Sequence, residues 1–260
     1  MDSTKTYHIL RINKGIGNNE EDIVIREYPF TIFIDDEEII TLLCSPNSLR
    51  YLTIGFLYSE SFIESYSAID SIEIDEENGR AYVKLNIRKT FNEKLQGKRT
   101  ITSGCGKGTV FYNVLDSFKS KKITNKIDMK TDEIVSLMRR FNSESSLFQA
   151  TGGTHACSIC SKSDIIYFEE DIGRHNAVDK ALGRALEEGI DLSDKIILTS
   201  GRVSSDLLIK AAKAEIPVVA SRSAPTSLAV DMARELNITL VGFVRGEKMN
   251  IYNKFPSLKF

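Results

Sequence analysis

The second half of the chain sets short apolar runs between helix-like stretches, and this alternation limits the fold more than any other feature of the sequence. The runs are "DIIYFEE" at 164–170, "KIILTS" at 195–200, "PVVASR" at 217–222 and "ITLVGFV" at 238–244. Each has the length of a strand, while the segments that start near Arg174, Ser204 and Pro225 have helical spacing. Strands alternating with helices predict an α/β layer with a largely parallel sheet. "TDEIVSLMRRFN" predicts a further helix ahead of that layer, with Thr131 as cap and Glu133 in the first turn.

The first half has a different rhythm. "EDIVIREYPF", "TIFIDDEEIITLL" and "SIEIDEENGRAYVKLNI" alternate polar with apolar residues and predict strands. Between them, "SPNSLRYLTIGFLYSESFI" predicts a helix capped by Ser45 or Asn47, with Pro46 in its first turn. Leu49, Leu52, Ile54, Phe56 and Leu57 supply its apolar face. A polar, lysine-rich passage from Lys121 to Lys130 marks a boundary. The expected organisation is a smaller, mainly β domain over residues 1–125, with a cysteine loop at its end, and an α/β domain with a binding cleft over residues 126–260.

Composition adds exclusions. With 34 Lys and Arg against 36 Asp and Glu, the formal net charge is -2. No global basic field recruits nucleic acid or a membrane surface, so any bound anion must be held by a local arrangement. The opening "MDSTKTYHILRINKG" lacks the apolar core of a signal peptide, and no run reaches membrane-spanning length. Four cysteines at irregular spacing do not suit a secreted disulfide framework, so a reducing cytoplasm is the expected compartment.

Three strand-to-loop junctions share one chemistry. "LTSGRVSSDLL" leads from a strand through Ser200, Gly201 and Arg202 to a helix that Ser204 can cap, and "VVASRSAPTSLA" repeats the plan with Ser221, Arg222 and Ser223. "LVGFVRGEKMNIY" ends its strand near Val244 and turns at Arg245–Gly246. In an α/β sheet such junctions are where ligands bind, and guanidinium groups beside helix N-termini favour phosphate. Together they point to a polyanion such as a nucleotide; capped helices with solvated arginines are the alternative. "EEDIGRHNAVDKALGRALEEG" opens another helix, with Arg174 and His175 near its start. His175 is a candidate proton donor or cleft residue, or a side chain that fills space.

The cysteines divide by context. Cys44 lies in an apolar run and is assigned to the core. "TGGTHACSICS" holds His155, Cys157 and Cys160, but along a strand His155 and Cys157 share one face and Cys160 takes the other. No turn separates the two cysteines and no second ligand pair follows, so packing is expected there rather than a metal. Cys105 differs. "ITSGCGKGTVF" sets it among three glycines with Lys107 nearby, in a segment built to bend.

In order along the chain, "SGCG" (103–106), "TGGTHAC" (151–157), "EDIGRHNAVDK" (170–180), "TSGR" (199–202), "SAPTSLA" (223–229) and "GFVRG" (242–246) resemble the FdhD family, the sulfur-carrier accessory factors of formate dehydrogenases. The resemblance covers most of the chain. It implies a cytidine-deaminase-like three-layer α/β/α domain without the deaminase zinc site, hence no structural metal, and a cytoplasmic homodimer. It also implies a sulfurtransferase. A cysteine desulfurase loads sulfur as a persulfide on Cys105, and the sulfur passes to a molybdenum bis-molybdopterin guanine dinucleotide cofactor before insertion into formate dehydrogenase. The family's cofactor-binding segment maps to Phe243, Val244, Arg245, Gly246, Glu247 and Lys248, to which the junction pattern adds Arg202, Arg222 and His175. One departure stands out: many family members carry C-x-x-C in the loop, whereas here Gly108 takes the second position. Any persulfide chemistry then rests on Cys105 alone.

The loop suits that task. Gly104, Gly106 and Gly108 allow it to swing, and successive N–H groups with Lys107 favour thiolate over thiol. Two other functions fit less of the sequence. A cofactor-binding chaperone without sulfur transfer would leave Cys105 dispensable. A deaminase-like hydrolase requires a glutamate in H-x-E order, and His155-Ala156-Cys157 offers a cysteine there.

Overall fold

The computed structural model describes residues 2–86, 122–124, 127–255 and 258–259. Strands β1 (Thr4–Asn13) and β2 (Ile16–Ile25) pair as an antiparallel hairpin around Lys14–Gly15, both at positive φ. Strands β3 (Tyr28–Ile34), β4 (Glu37–Cys44), β5 (Ile69–Asp75) and β6 (Arg80–Leu85) then form a four-stranded sheet in the order β4-β3-β6-β5. The alternation read from the sequence places Phe30, Ile32, Ile34, Ala81 and Val83 on its buried face.

Helix α1 (Leu49–Ser59) lies under that sheet and is covered on all sides: every residue from 52 to 58 is buried. It begins later than its sequence suggests. Ser48, in the left-handed region, takes the N-cap position without a side-chain cap bond, while Pro46 is buried ahead of the helix. Ser45 and Asn47, the expected caps, are engaged elsewhere, as described below.

After β7 (Met129–Lys130) comes α2 (Thr131–Glu144), where Glu133 accepts the Lys130 N–H at 2.6 Å. Thr131, the expected cap, is thus the first helical residue. A short helix α3 (Ser146–Thr151) precedes β8 (His155–Cys160) and β9 (Ile165–Asp171). The rest follows as α4 (Arg174–Glu187), β10 (Ile196–Thr199), α5 (Ser205–Lys213), β11 (Val218–Ser221), α6 (Ser227–Leu236), β12 (Thr239–Arg245), β13 (Lys248–Asn253) and β14 (Leu258–Lys259). The main sheet runs β13-β12-β11-β10-β8-β9, and β14 pairs with β7.

This sheet is mixed, which corrects the expectation of a largely parallel one. Only β10/β11 and β11/β12 are parallel; β8/β9, β8/β10 and β12/β13 are antiparallel. The reason is connection length. Helices α5 and α6 supply the crossovers that parallel pairing needs, whereas turns of a few residues join β8 to β9 and β12 to β13. Both faces of the sheet are covered. Ile134, Leu137, Met138 and Phe141 of α2 pack with Ala156, Cys160, Leu198 and Val241 on one side. On the other, Cys157, Ile159, Ile197, Val219 and Leu240 meet α4, α5 and α6 in a core that continues through α1 to the four-stranded sheet. Cys157 and Cys160 therefore face opposite cores, as the strand spacing predicts. The boundary expected at residue 125 lies outside the described residues.

Candidate functional site: a basic sheet edge

One edge of the main sheet collects the expected binding residues. Strands β10, β11 and β12 end there, antiparallel β8 begins there, and His155 pairs with Asp171 at the end of β9. The loops that leave this edge are stitched together. Arg222 N donates to Thr199 O at 3.1 Å, Ser221 Oγ to Gly201 O at 2.7 Å, and Phe243 N to Ser223 O at 3.0 Å. Val203 and Pro225 form a parallel bridge, with Val203 N donating to Ala224 O and Thr226 N to Val203 O. The glycine, serine and proline content of these junctions thus builds a fixed rim.

The rim carries two groups of basic side chains. In the first, Arg245 Nε donates to Arg222 O at 3.2 Å and its guanidinium stands 5.7 Å from the Phe243 ring centre, while Arg222 Nη1 reaches Asn142 Oδ1 at 3.4 Å. Arg245, Gly246, Glu247 and Lys248 form the exposed β12–β13 turn, Phe243 is half-buried at φ 53°, and Val244 faces the core beside α2. The second group is Arg174, Arg202 and His155. Burial pushes the His155 pKa down, and the Arg174 and Arg202 charges add to that effect. Arg174 is itself lowered by burial and by Arg202, against a pull from Asp206.

His175 sits deeper. Burial, then Lys210, Arg174 and His155, push its pKa to about 3, so it is neutral at physiological pH and its buried Nε2 has no hydrogen-bond partner. A proton-donor role does not suit a group held in that state. Ser204 occupies the N-cap of α5, yet its Oγ makes no cap bond and is also buried without a partner.

Behind the rim lies a brace that sequence reasoning missed. Lys180, fully buried, forms an ion pair with Asp171 at 2.7 Å and donates to Ser45 O, Asn47 Oδ1 and Glu170 O. Asp171 also accepts from Ser45 N, Gly173 N and Asn176 Nδ2, while Ser45 Oγ accepts from Ile172 N. The segment before α1 is thereby locked to the turn that presents Arg174 and His175. A sequence signal existed: Lys180 falls three residues after Ala177, one of the apolar positions of this helix.

Cys105, with Gly104, Gly106, Lys107 and Gly108, lies outside the described residues. The other three cysteines are buried. Burial pushes the thiols of Cys44 and Cys160 up to about 12 and that of Cys157 upward as well. No thiolate nucleophile is available from these three. Chemically, the described edge presents guanidinium groups of the kind that hold oxyanions.

The profile of the FdhD/NarQ family matches residues 25–258. A protein named Sulfur carrier protein FdhD from Listeria innocua is 45% identical over 99% of this chain and 100% of its own length. A Bacillus subtilis protein of the same name is 40% identical over 96% of this chain and 95% of its own. The fold matches the crystal structure of a candidate formate dehydrogenase accessory protein from Desulfotalea psychrophila, with a TM-score of 0.80 at 24% identity, covering 99% and 100% of the two chains.

Proposed function

The chain belongs to the FdhD/NarQ family, and on that premise we propose that it is a sulfur carrier in formate dehydrogenase maturation. In this reading Cys105 accepts sulfur from a cysteine desulfurase and delivers it to a molybdenum bis-molybdopterin guanine dinucleotide held as cargo at the basic sheet edge. The loading step is a thiol–persulfide exchange. The Cys105 thiolate attacks the terminal sulfur of the donor's persulfide, a new S–S bond forms as the old one breaks, and the donor cysteine leaves as thiolate. No external oxidant is consumed. The protein is then a sulfurtransferase, working as a cytoplasmic homodimer with a cytidine-deaminase-like α/β/α layer.

The observation that carries this reading is the distribution of thiols. Of four cysteines, three are sealed in the core, and the fourth is the one the sequence sets among glycines. The convergence of Arg174, Arg202, Arg222 and Arg245 on one edge supports an anionic cargo, and among the described residues no reactive thiol competes for it.

The test is mass spectrometry of the full-length protein after incubation with a cysteine desulfurase and cysteine. One added sulfur on Cys105, absent from Cys105→Ser, is the expected result. A protein that binds GDP but never gains sulfur would instead be a cofactor-binding chaperone.

A further inference from the structure

We propose that Arg174, Arg202 and His155 form a dedicated pocket for a phosphoryl group, separate from the Arg222–Arg245 pair. The assignment rests on reading this edge as a nucleotide-cofactor site, and it says which side chains take a phosphate there.

Unpaired charge marks this part of the edge. Among the described residues, Arg174 and Arg202 join no salt bridge, and the buried Nε of Arg174 has no hydrogen-bond partner. Neighbouring carboxylates are committed elsewhere. Asp171 is held by Lys180, Asp179 by Lys210 at 2.6 Å, and Glu170 accepts from Leu147 N, Phe148 N and Thr154 Oγ1. Asp206 attracts Arg174 but forms no salt bridge with it. The half-buried Arg174 guanidinium is repelled by exposed Arg202 beside it, and an anion between the two relieves that repulsion.

Arg174 and His155 converge on one glycine. A Cβ at Gly201 would lie 3.0 Å from Arg174 Cβ, 3.2 Å from Arg174 Cδ and 3.6 Å from His155 Nδ1. Arg174 thus lies across the Gly201 backbone with His155 beside it, and Arg202 follows directly in the chain. His155, kept neutral by burial and by the two arginines, supplies an N–H donor without adding charge, and Ser200 Oγ stands 3.5 Å from its Nδ1. Guanidinium forks with a neutral donor suit the several oxygens of a phosphoryl group.

Separation from the other pair follows from the strand order. Arg245 ends β12, two strand spacings or about 10 Å from β10, and its guanidinium is turned to Arg222 O and the Phe243 ring. A ligand with two phosphoryl-bearing arms can use both.

The experiment titrates the full-length protein with inorganic phosphate and with GDP, in wild type, Arg174→Ala, Gly201→Ala and Arg245→Ala, with melting temperatures recorded for each. Phosphate should displace GDP from wild type, and Arg174→Ala should weaken phosphate binding by roughly tenfold or more. Gly201→Ala keeps every charge but displaces Arg174, and should show a similar loss at unchanged melting temperature. Phosphate affinity equal to wild type in Arg174→Ala would overturn the proposal, as would phosphate binding that leaves GDP undisturbed. GDP binding that ignores Arg174 yet falls in Arg245→Ala sinks this pocket alone. A wild-type protein that binds no GDP sinks the nucleotide reading of the whole edge.

Discussion

Gly55 and Gly183 bring the backbones of α1 and α4 into direct contact. A Cβ on Gly183 would lie 2.7 Å from Gly55 N and 2.0 Å from Tyr51 O, and one on Gly55 would lie 1.8 Å from Asp179 O. Backbone atoms cannot swing aside, so the two helices must part to admit a methyl group. Gly183→Ala should cost about 3 kcal/mol or more, the upper range for overpacking. Urea unfolding measures it, and a loss under 1 kcal/mol, about the ordinary scale of one substitution, would show that the crossing is looser than described.

Removing one partner of the buried Lys180–Asp171 pair leaves the other uncompensated. Lys180→Met should destabilise by about 3–5 kcal/mol, and adding Asp171→Asn should recover part of that loss. Thermal unfolding of the single and double variants checks both statements. Equal stability for Lys180→Met and wild type would contradict the brace.

Thiol reactivity separates Cys105 from the rest. Under native conditions a thiol reagent should modify Cys105 alone, because Cys44, Cys157 and Cys160 are buried and protonated. In denaturant all four should react. Native Cys105→Ser should be silent on the same time scale; rapid labelling of Cys157 or Cys160 in that variant would refute their core assignment.

His175 sets a pH dependence. Its pKa falls from 6.5 to about 3 on folding, so the unfolded chain takes up the proton first as pH drops. Its contribution to stability is complete above the unfolded value and is lost as pH falls through the window between the two. Between pH 8 and pH 5 the loss amounts to about 2 kcal/mol. His175→Gln should flatten the stability curve by that amount relative to wild type. Comparing the two proteins cancels Glu169, whose raised pKa acts in the opposite sense. Parallel curves would mean that His175 titrates normally.

Arg245→Ala should weaken GDP binding by roughly tenfold to a hundredfold, with partial recovery in Arg245→Lys because an ammonium cannot make a two-pronged contact. Persulfide loading of Cys105 should persist. Calorimetry beside a loading assay reads both, and unchanged GDP affinity would remove the β12–β13 turn from the site.

Much of this was legible in the residues. Alternation in the first half, and short apolar runs with helix spacing in the second, located most elements, because polarity follows burial. The arginines of the strand ends came out on one edge because consecutive strands place their ends together. Pairing direction was not legible, since apolar strands read alike either way and loop length decides. The caps of α1 were misassigned for a tertiary reason: Ser45 and Asn47 serve Lys180 and Asp171, residues from the far half of the chain. Arg174 was noticed, but its grouping with His155 and Arg202 needed the approach across Gly201, which no local pattern encodes.

The burial of α1 also has a cost in time. Its covering helix α4 is synthesised about 115 residues later, since α1 ends at Ser59 and α4 opens at Arg174. At roughly 5–20 residues per second, the ribosome delivers that cover on the order of 6–23 s after α1. Throughout that interval the newborn chain carries a largely apolar helix with no partner on its α4 side. A stalled or truncated product would keep it that way, and would be a natural client for a holdase that grips extended apolar segments.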